Sequence, residues 1–389
     1  MHIMVIPSWY SSSRNTVHGS FFKEQFKALS NSDEKITVAY NEIWPITMLG
    51  KISEKRGLNF NIEDNLRTYR YKDYNYFPKM SLMFQSFNKR MDILYQEIIK
   101  YEGKVDIIHA HSAFWGAIAA AYLSKKYNIP LVITEHSSLK YAKYVRENYK
   151  KYIFDAYKKA DYLIAVGNGL KKEMQEYVNK PIAVIHNMVD LSLFNVNKNG
   201  RQYIHEDKEF EFFSCALDIS EEGKGMECLI KAFAKAFKDQ NVSLRIGGDD
   251  SLKLSLNKLI QDLNMDNQIK LLGALSREEV SKEMKRCDAF TLASEHETFG
   301  VVYIEALACG KPVIGTDNGG AEDIINEDNG IIAKKKNVED LAKALVQIKE
   351  NYEMYDKDKI REKTIFSYSE KVLVEKLKGV YKKVYEGNN

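Results

Sequence analysis

Residues 294–320 read SEHETFGVVYIEALACGKPVIGTDNGG. The apolar run DAFTLAS (288–294) enters this segment as a strand, and Glu297 falls in the loop after it. The spacing predicts a helix from near Phe299 or Gly300 to Cys309. Gly310 suits the left-handed position that ends a helix, and Pro312 follows where a helix cannot continue. KPVIGTD (311–317) is the next strand, closed by Gly319-Gly320. Strand, helix and strand in this order belong to a parallel sheet with helices on its faces.

The same alternation extends outward in both directions. Upstream strands read HIMVIPS, KITVAYN, VDIIHAHS, PLVITEHS, DYLIAVGN and PIAVIHN, separated by helical stretches such as GSFFKEQFKALS (19–30), NKRMDILYQEIIKY (88–101) and FWGAIAAAYLSKKY (114–127). FEFFSCAL, VSLRIGG, QIKLLGA and GIIAKK continue the pattern around the opening segment, with helices MECLIKAFAKAFKD and REEVSKEMKRC between them. Near-continuous apolar strands imply sheets covered on both faces, hence an α/β doubly wound architecture. A chain of 389 residues exceeds the roughly 250–300 at which one core stops growing, so two domains are expected. The polar stretch from Asn195 to Asp207 interrupts the alternation. We therefore expect domains at 1–190 and 191–368, with a C-terminal helix at 369–389 for which a return to the first domain is the expected course. Two such domains facing across a cleft would bind ligands in the loops after the strands.

Composition excludes several classes. A net charge of +3 gives no basis for nucleic-acid binding. Cys215, Cys228, Cys287 and Cys309 form no Cys-x-x-Cys pair and read as small buried residues of a reducing cytoplasm. The opening HIMVIPSWY has no basic leader or cleavage site, and no apolar run reaches the roughly 18 residues of a membrane span. Any membrane contact is expected to be peripheral, at the inner face of the cell membrane.

The opening segment also carries chemistry. The first amides of its helix, expected from Thr298 to Val301, have no intrahelical acceptor and share the positive end of the helix dipole, a ready diphosphate site. Gly300 lets a ligand approach the backbone. Glu297 can accept from sugar hydroxyls. Glu305 lies on an otherwise apolar helix and needs a partner, which ribose hydroxyls or a core Lys or Arg would supply.

Taken whole, the segment resembles the signature of retaining family-four glycosyltransferases of the GT-B fold. The matching features are Glu297 and Glu305 with seven residues between, Thr298-Phe299-Gly300, Glu-Ala-Leu-Ala-Cys-Gly (305–310), and the downstream Pro-Val and Gly-Gly. The resemblance implies two Rossmann-like domains, with Glu297 on the donor sugar, Glu305 on the ribose, and Thr298, Phe299, Gly300 and Val301 at the distal phosphate. EEGKGMECLIKAF (221–233) resembles the family's Lys-Gly element and implies Lys224 on the donor diphosphate. There a cation meets the charge that the leaving group gains. Leu272 and Gly273 resemble the positions that receive the nucleobase. One departure is plain: where the family has Gly-Arg-Leu, this chain has Cys215-Ala216-Leu217.

In the first half, IPSWYSSSRNTVHGSFFKEQFKAL (6–29) resembles the opening of bacterial capsule, O-antigen and teichuronic-acid glycosyltransferases, which implies Gly19 near the donor diphosphate. His111 of HAHS is implied beside the reacting sugar. Glu135 or His136 of TEHSS is implied to meet the acceptor, and Asn187 and Asp190 of HNMVD to shape the hinge. The activity implied is retaining transfer from a UDP- or GDP-sugar, without a metal or other cofactor, to a glycan or polyprenyl-diphosphate-linked acceptor. Asp249-Asp250 is adjacent rather than spaced as a metal-binding pair would be, and reads as a loop or helix start. Residues 140–161 hold seven Lys or Arg against three acids, interleaved with tyrosines, a face suited to an anionic membrane or lipid diphosphate. A GT-B epimerase or phosphorylase, and a non-catalytic sugar-nucleotide-binding protein, are the alternatives.

Overall fold

The computed structural model describes residues 1–14, 19–196, 209–219, 223–249 and 253–387. Most of the polar stretch 195–207, residues 15–18 of the opening stretch, Glu221, Glu222 and Asp250 lie outside the described residues. Two compact units form: Met1–His186 with Leu373–Asn389, and Asn187–Val372. The first division falls after His186 rather than after Asp190.

The first unit runs β1 (His2–Pro7), α1 (Ser20–Ser30), β2 (Lys35–Trp44), β3 (Gly57–Glu63), β4 (Leu66–Tyr74), α2 (Leu82–Glu102), β5 (Ile107–His111), α3 (Ile118–Tyr127), β6 (Leu131–Glu135), α4 (Glu147–Lys159), β7 (Tyr162–Ala165), α5 (Asn168–Gln175) and β8 (Ile182–Val184). Its sheet has the order β3-β4-β2-β1-β5-β6-β7-β8. β1, β5 and β6 are buried along their whole length, as strands covered on both faces must be.

The second unit runs β9 (Phe210–Asp218), α6 (Met226–Phe237), β10 (Val242–Asp249), α7 (Lys253–Asp262), β11 (Ile269–Gly273), α8 (Arg277–Arg286), β12 (Ala289–Thr291), α9 (Val301–Ala308), β13 (Val313–Thr316), β14 (Gly330–Ala333), α10 (Val338–Glu350) and α11 (Lys357–Tyr368). Its sheet order is β11-β10-β9-β12-β13-β14, with every pair parallel. A last helix, α12 (Glu370–Gly387), belongs to the first unit from Leu373 onward.

Both sheets reverse their winding once, between β1 and β5 and between β9 and β12. Ligands of open α/β sheets bind beyond the carboxyl ends of strands at such points. Gly19 follows β1 and His111 ends β5, while Lys224 and Glu297 follow β9 and β12. The topology therefore puts the main candidate residues at the two switch points.

Four local readings are corrected. The first sheet is not wholly parallel: β3 and β4 pair antiparallel. Their two-residue turn, Asp64-Asn65, has φ of 47° and 69°, the left-handed pair that a tight hairpin requires. The helix read over 114–127 begins only at Ile118, because Phe114 and Trp115 depart from helical φ/ψ. The signature helix is Val301–Ala308 with Gly300 as N-cap at φ 90°, shorter than read. Asp249 ends strand β10 rather than lying in a loop.

Candidate functional site

The second unit's candidates are bound together by their backbones. Gly225 is the left-handed N-cap of α6, and a Cβ there would stand 2.0 Å from the Ala293 carbonyl oxygen. Only glycine lets the Lys224 loop lie this close to the end of β12. The Glu295 N–H donates to the Gly223 carbonyl at 2.7 Å, closing the two loops on each other. Within this frame Lys224 Nζ donates to Glu297 Oε1 at 3.2 Å. Both side chains keep some exposure, 23% and 16%.

The loop after β13 supports Glu297 from the other side. Glu297 N–H donates to the Asn318 carbonyl at 3.0 Å. Asn318 Oδ1 accepts from Gly320 and Ala321 N–H at 3.1 and 2.9 Å, and its Nδ2 donates to Tyr303 Oη at 3.1 Å. A Cβ on Gly320 would stand 2.6 Å from the Phe299 carbonyl oxygen. The Gly-Gly pair is thus a packing surface for residues 297–300. Because Gly300 is the N-cap, the helix's first amides are those from Val301 onward rather than Thr298–Val301, and Tyr303 N–H already donates to the Gly300 carbonyl. Val301 and Val302 have no intrahelical acceptor, so this end retains anion-binding character.

Glu305 has a protein partner. It is fully buried. Its Oε1 accepts from Arg277 Nη1 at 2.5 Å, while the buried Oε2 has no hydrogen-bond partner. The Arg277 guanidinium lies 4.9 Å from the Phe194 ring centroid. Burial above all, then the Glu305 charge, pushes the Cys215 thiol up, with Arg277 opposing. Both charges are thus felt at Cys215, next in sequence to the departure at Ala216. The residue sequence reasoning missed here is Arg277. Its signal was the capping box Ser276–Glu279 that starts α8, which fixes where Arg277 sits. Gly273, at φ 78°, ends β11 with open space about its Cα; Leu272 beside it is half-buried.

In the first unit, Gly19 is the left-handed N-cap of α1, where a Cβ would stand 2.9 Å from the Trp9 carbonyl oxygen. His111 and His136 are buried and joined, Nδ1 to Nε2, at 3.1 Å. His111 Nε2 and His136 Nδ1 have no partner. The His109 ring lies tilted against His111 at 4.2 Å and is hydrogen-bonded to Tyr381 Oη at 2.7 Å and Thr134 Oγ1 at 2.8 Å. Phe22 and Phe26 of α1 meet the His136 and His111 rings edge-on at 4.8 and 4.9 Å. Burial among these rings pushes His109 and His136 down to about 3, and His111 well below its ordinary range with the other two histidines adding to the effect. The cluster is therefore neutral at neutral pH.

The backbone after His111 is unusual. Ser112 and Trp115 have φ of 65° and 77° without being glycine. Such strain persists only where surroundings over-determine it. Ser8 supplies part of that: its Oγ donates to the Ser112 carbonyl at 2.8 Å and accepts from Gly116 N–H at 3.0 Å. Glu135 supplies the rest. Its Oε1 accepts from the N–H of His136 and Ser137, and its Oε2 from Ala113 N–H and Tyr157 Oη. Each oxygen already takes two donors. Glu135 braces the loops after β5 and β6, and His136 is the member of that pair with an unpartnered atom. Asp190 holds a turn, accepting from Ser192 and Leu193 N–H, and Asn187 is buried.

The basic stretch divides. In α4, Tyr149, Ile153, Ala156 and Tyr157 are buried. The exposed tyrosines, Tyr141 and Tyr144, lie ahead of the helix with Lys140, Lys143 and Arg146, while Lys151, Lys158 and Lys159 are exposed on α4 itself. Among the described residues no group of three or more His, Cys, Asp or Glu could hold a metal, and no helix is long and apolar enough to cross a membrane.

Comparison with known proteins gives the family and the fold. Residues 198–364 match the family of glycosyl transferases group 1, and residues 54–193 match Glycosyltransferase Family 4. The chain is 32% identical to the glycosyltransferase MJ1178 of Methanocaldococcus jannaschii over 67% of this chain and 69% of that protein. It is 26% identical to the putative teichuronic acid biosynthesis glycosyltransferase TuaC of Bacillus subtilis over 89% of each. It is 28% identical to the N-acetylgalactosamine-N,N'-diacetylbacillosaminyl-diphospho-undecaprenol 4-alpha-N-acetylgalactosaminyltransferase of Campylobacter jejuni, over 56% of this chain and 59% of that one. Among solved structures, sucrose-phosphate synthase from Thermosynechococcus elongatus superposes with a TM-score of 0.79 at 17% identity, covering 100% of both chains. That likeness concerns the GT-B fold.

Proposed function

Since this chain belongs to the group 1, family 4 glycosyltransferases, we propose that it moves a sugar, with retention of anomeric configuration, from a UDP- or GDP-sugar to a glycan or lipid-linked glycan in the making of a cell-surface polysaccharide. The observation that carries this reading is the Lys224–Glu297 pair at the β9/β12 switch point, beside the amino end of α9. A cation, helix amides and a carboxylate meet there in the arrangement that a diphosphate and a sugar require.

In this reading Lys224 and the first α9 amides hold the diphosphate, and Glu297 accepts from hydroxyls of the donor sugar. Glu305 faces the ribose, sharing its carboxylate with Arg277. Arg277 also supplies the second positive charge, near the position that Ala216 leaves without one. Leu272 and Gly273 lie at the base. Gly19 admits the diphosphate near α1. The bond from the anomeric carbon to the phosphate oxygen breaks while the acceptor oxygen bonds to that carbon on the same face, and the acceptor proton passes to the leaving phosphate. Lys224 and the helix dipole stabilise the charge that develops on the leaving diphosphate. His111, neutral, orients the sugar. To favour positive charge at the anomeric carbon its Nε2 must carry the lone pair, so His111 Nδ1–H donates to His136. TuaC's name motivates the polysaccharide role, and the diphospho-undecaprenol relative motivates the lipid-linked acceptor and a placement at the inner membrane face.

The test is release of nucleoside diphosphate across a panel of UDP- and GDP-sugars with and without glycan acceptors, followed by NMR of the product's anomeric centre. The α-linked product from an α-linked donor supports retention; inversion overturns it. Binding without turnover on the whole panel would point to a non-catalytic sugar-nucleotide-binding protein. Interconversion of the donor without acceptor would point to an epimerase.

A further inference from the structure

Two loops leave the carboxyl edge of the first unit's sheet, after β4 and after β6. In the first, residues 76–82 (YFPKMSL) are exposed without a break. Phe77 is 38% and Met80 51% exposed, with Tyr76 and Leu82 similar. Seven consecutive exposed residues, mostly apolar, differ from the isolated apolar residues of an ordinary surface. The second loop, 140–146 (KYAKYVR), exposes Tyr141 and Tyr144, each 54%.

An aromatic bridge joins the loops. Phe84, at the start of α2, lies 6.0 Å from Phe114, and Phe114 lies 5.6 Å from Tyr144. Across the fourteen residues the charged side chains are Lys79, Lys140, Lys143 and Arg146, with no acid. This excess of four exceeds the net +3 of the whole chain. The first loop also borders Arg56, whose guanidinium lies 5.9 Å from the Tyr76 ring centroid and is paired with Asp73 at 3.0 Å, so it adds no net charge to the count.

We propose that these two loops form one docking rim for an anionic lipid bilayer. Phe77, Met80 and Leu82 enter the boundary between headgroups and acyl chains, the tyrosines sit at headgroup depth, and the cations meet lipid phosphates. The charge pattern selects this occupant: a second copy of the chain would set four cations against four. The rim rests on the proposed lipid-linked acceptor only for the choice of lipid as partner.

The experiment is co-sedimentation of the full chain with phosphatidylcholine vesicles, with and without phosphatidylglycerol, at low and high salt. The expected result is binding at least about tenfold tighter with phosphatidylglycerol and weakened by salt. Each cation near an anionic surface contributes roughly fivefold, so Lys140→Gln with Lys143→Gln should weaken binding roughly 25-fold. Phe77→Ser with Met80→Ser should weaken it about tenfold or more, with nucleotide binding unchanged. Absence of vesicle binding, or binding that both double variants retain, overturns the rim. A dimer that the Phe77/Met80 variant dissociates, without vesicle binding, assigns the surface to self-association instead. Titration with nucleoside diphosphates separates the two readings: nucleotide binding without vesicle binding sinks the rim alone, and the reverse sinks the donor site alone.

Discussion

Acid should unfold the first unit through its buried histidines. Below their ordinary value of 6.5, unfolded imidazoles each take up a proton. In the folded chain His109 and His136 do so only at about 3, and His111 also far below its usual range. The folded values are depressed, so the stability these rings contribute is full above pH 6.5 and is lost as pH falls toward the folded values. Each ring contributes about 1.4 kcal/mol per pH unit well below 6.5 and about 1.3 kcal/mol between pH 7 and 5.5, so three rings should cost about 4 kcal/mol over that interval. His2, lowered by burial, acts in the same direction. Glu135, raised by burial, acts oppositely, because the folded state then holds its proton more tightly. Urea unfolding at the two pH values and constant ionic strength measures the difference. His109→Gln, which can still reach Tyr381 and Thr134, should shrink the loss by about one ring's share. A loss below about 1 kcal/mol in the native chain, or one that His109→Gln leaves unchanged, would refute the neutral buried cluster.

Other consequences follow from the same contacts. Lys224→Ala should weaken nucleoside-diphosphate binding about 10–100-fold, since a charge-assisted hydrogen bond is worth about 1.5–3 kcal/mol; unchanged affinity in titration calorimetry removes Lys224 from the site. Gly225→Ala should destabilise the second unit by at least about 1–2 kcal/mol from the left-handed backbone alone, and the approach to Ala293 adds to this; unfolding curves identical to the native chain's would contradict the close packing. Glu135→Gln places an N–H against one of the donors it now satisfies and should cost about 1–3 kcal/mol. Full stability with lost transfer would instead make Glu135 a ligand-facing residue.

The strands of both sheets were legible because buried parallel strands are apolar along their length. The switch-point loops were legible because glycines and a helix start mark them. The β3–β4 hairpin was harder. Its outer strand is half-buried at four positions and exposed at three, without the continuous apolar run of the other strands, and Asp64-Asn65 marks its turn. Glu135 looked ligand-facing because it ends a strand at the right edge. Two of its four donors, Ala113 N–H and Tyr157 Oη, are each 22 residues away, and no local pattern reports that. Arg277 was hidden for the same reason, 28 residues from Glu305. The left-handed Ser112 and Trp115 leave no trace in composition, since neither is a glycine.

Glu297→Gln offers the sharpest measurement. It keeps the side chain's shape and its backbone bond to Asn318 but removes the charge facing Lys224. With a donor that the native chain turns over, the folded variant should release nucleoside diphosphate to acceptor slower by about two or more orders of magnitude, as loss of a preorganised charged contact predicts, with a native unfolding curve. A folded variant that retained most of the native rate would contradict the assignment of sugar transfer to this loop.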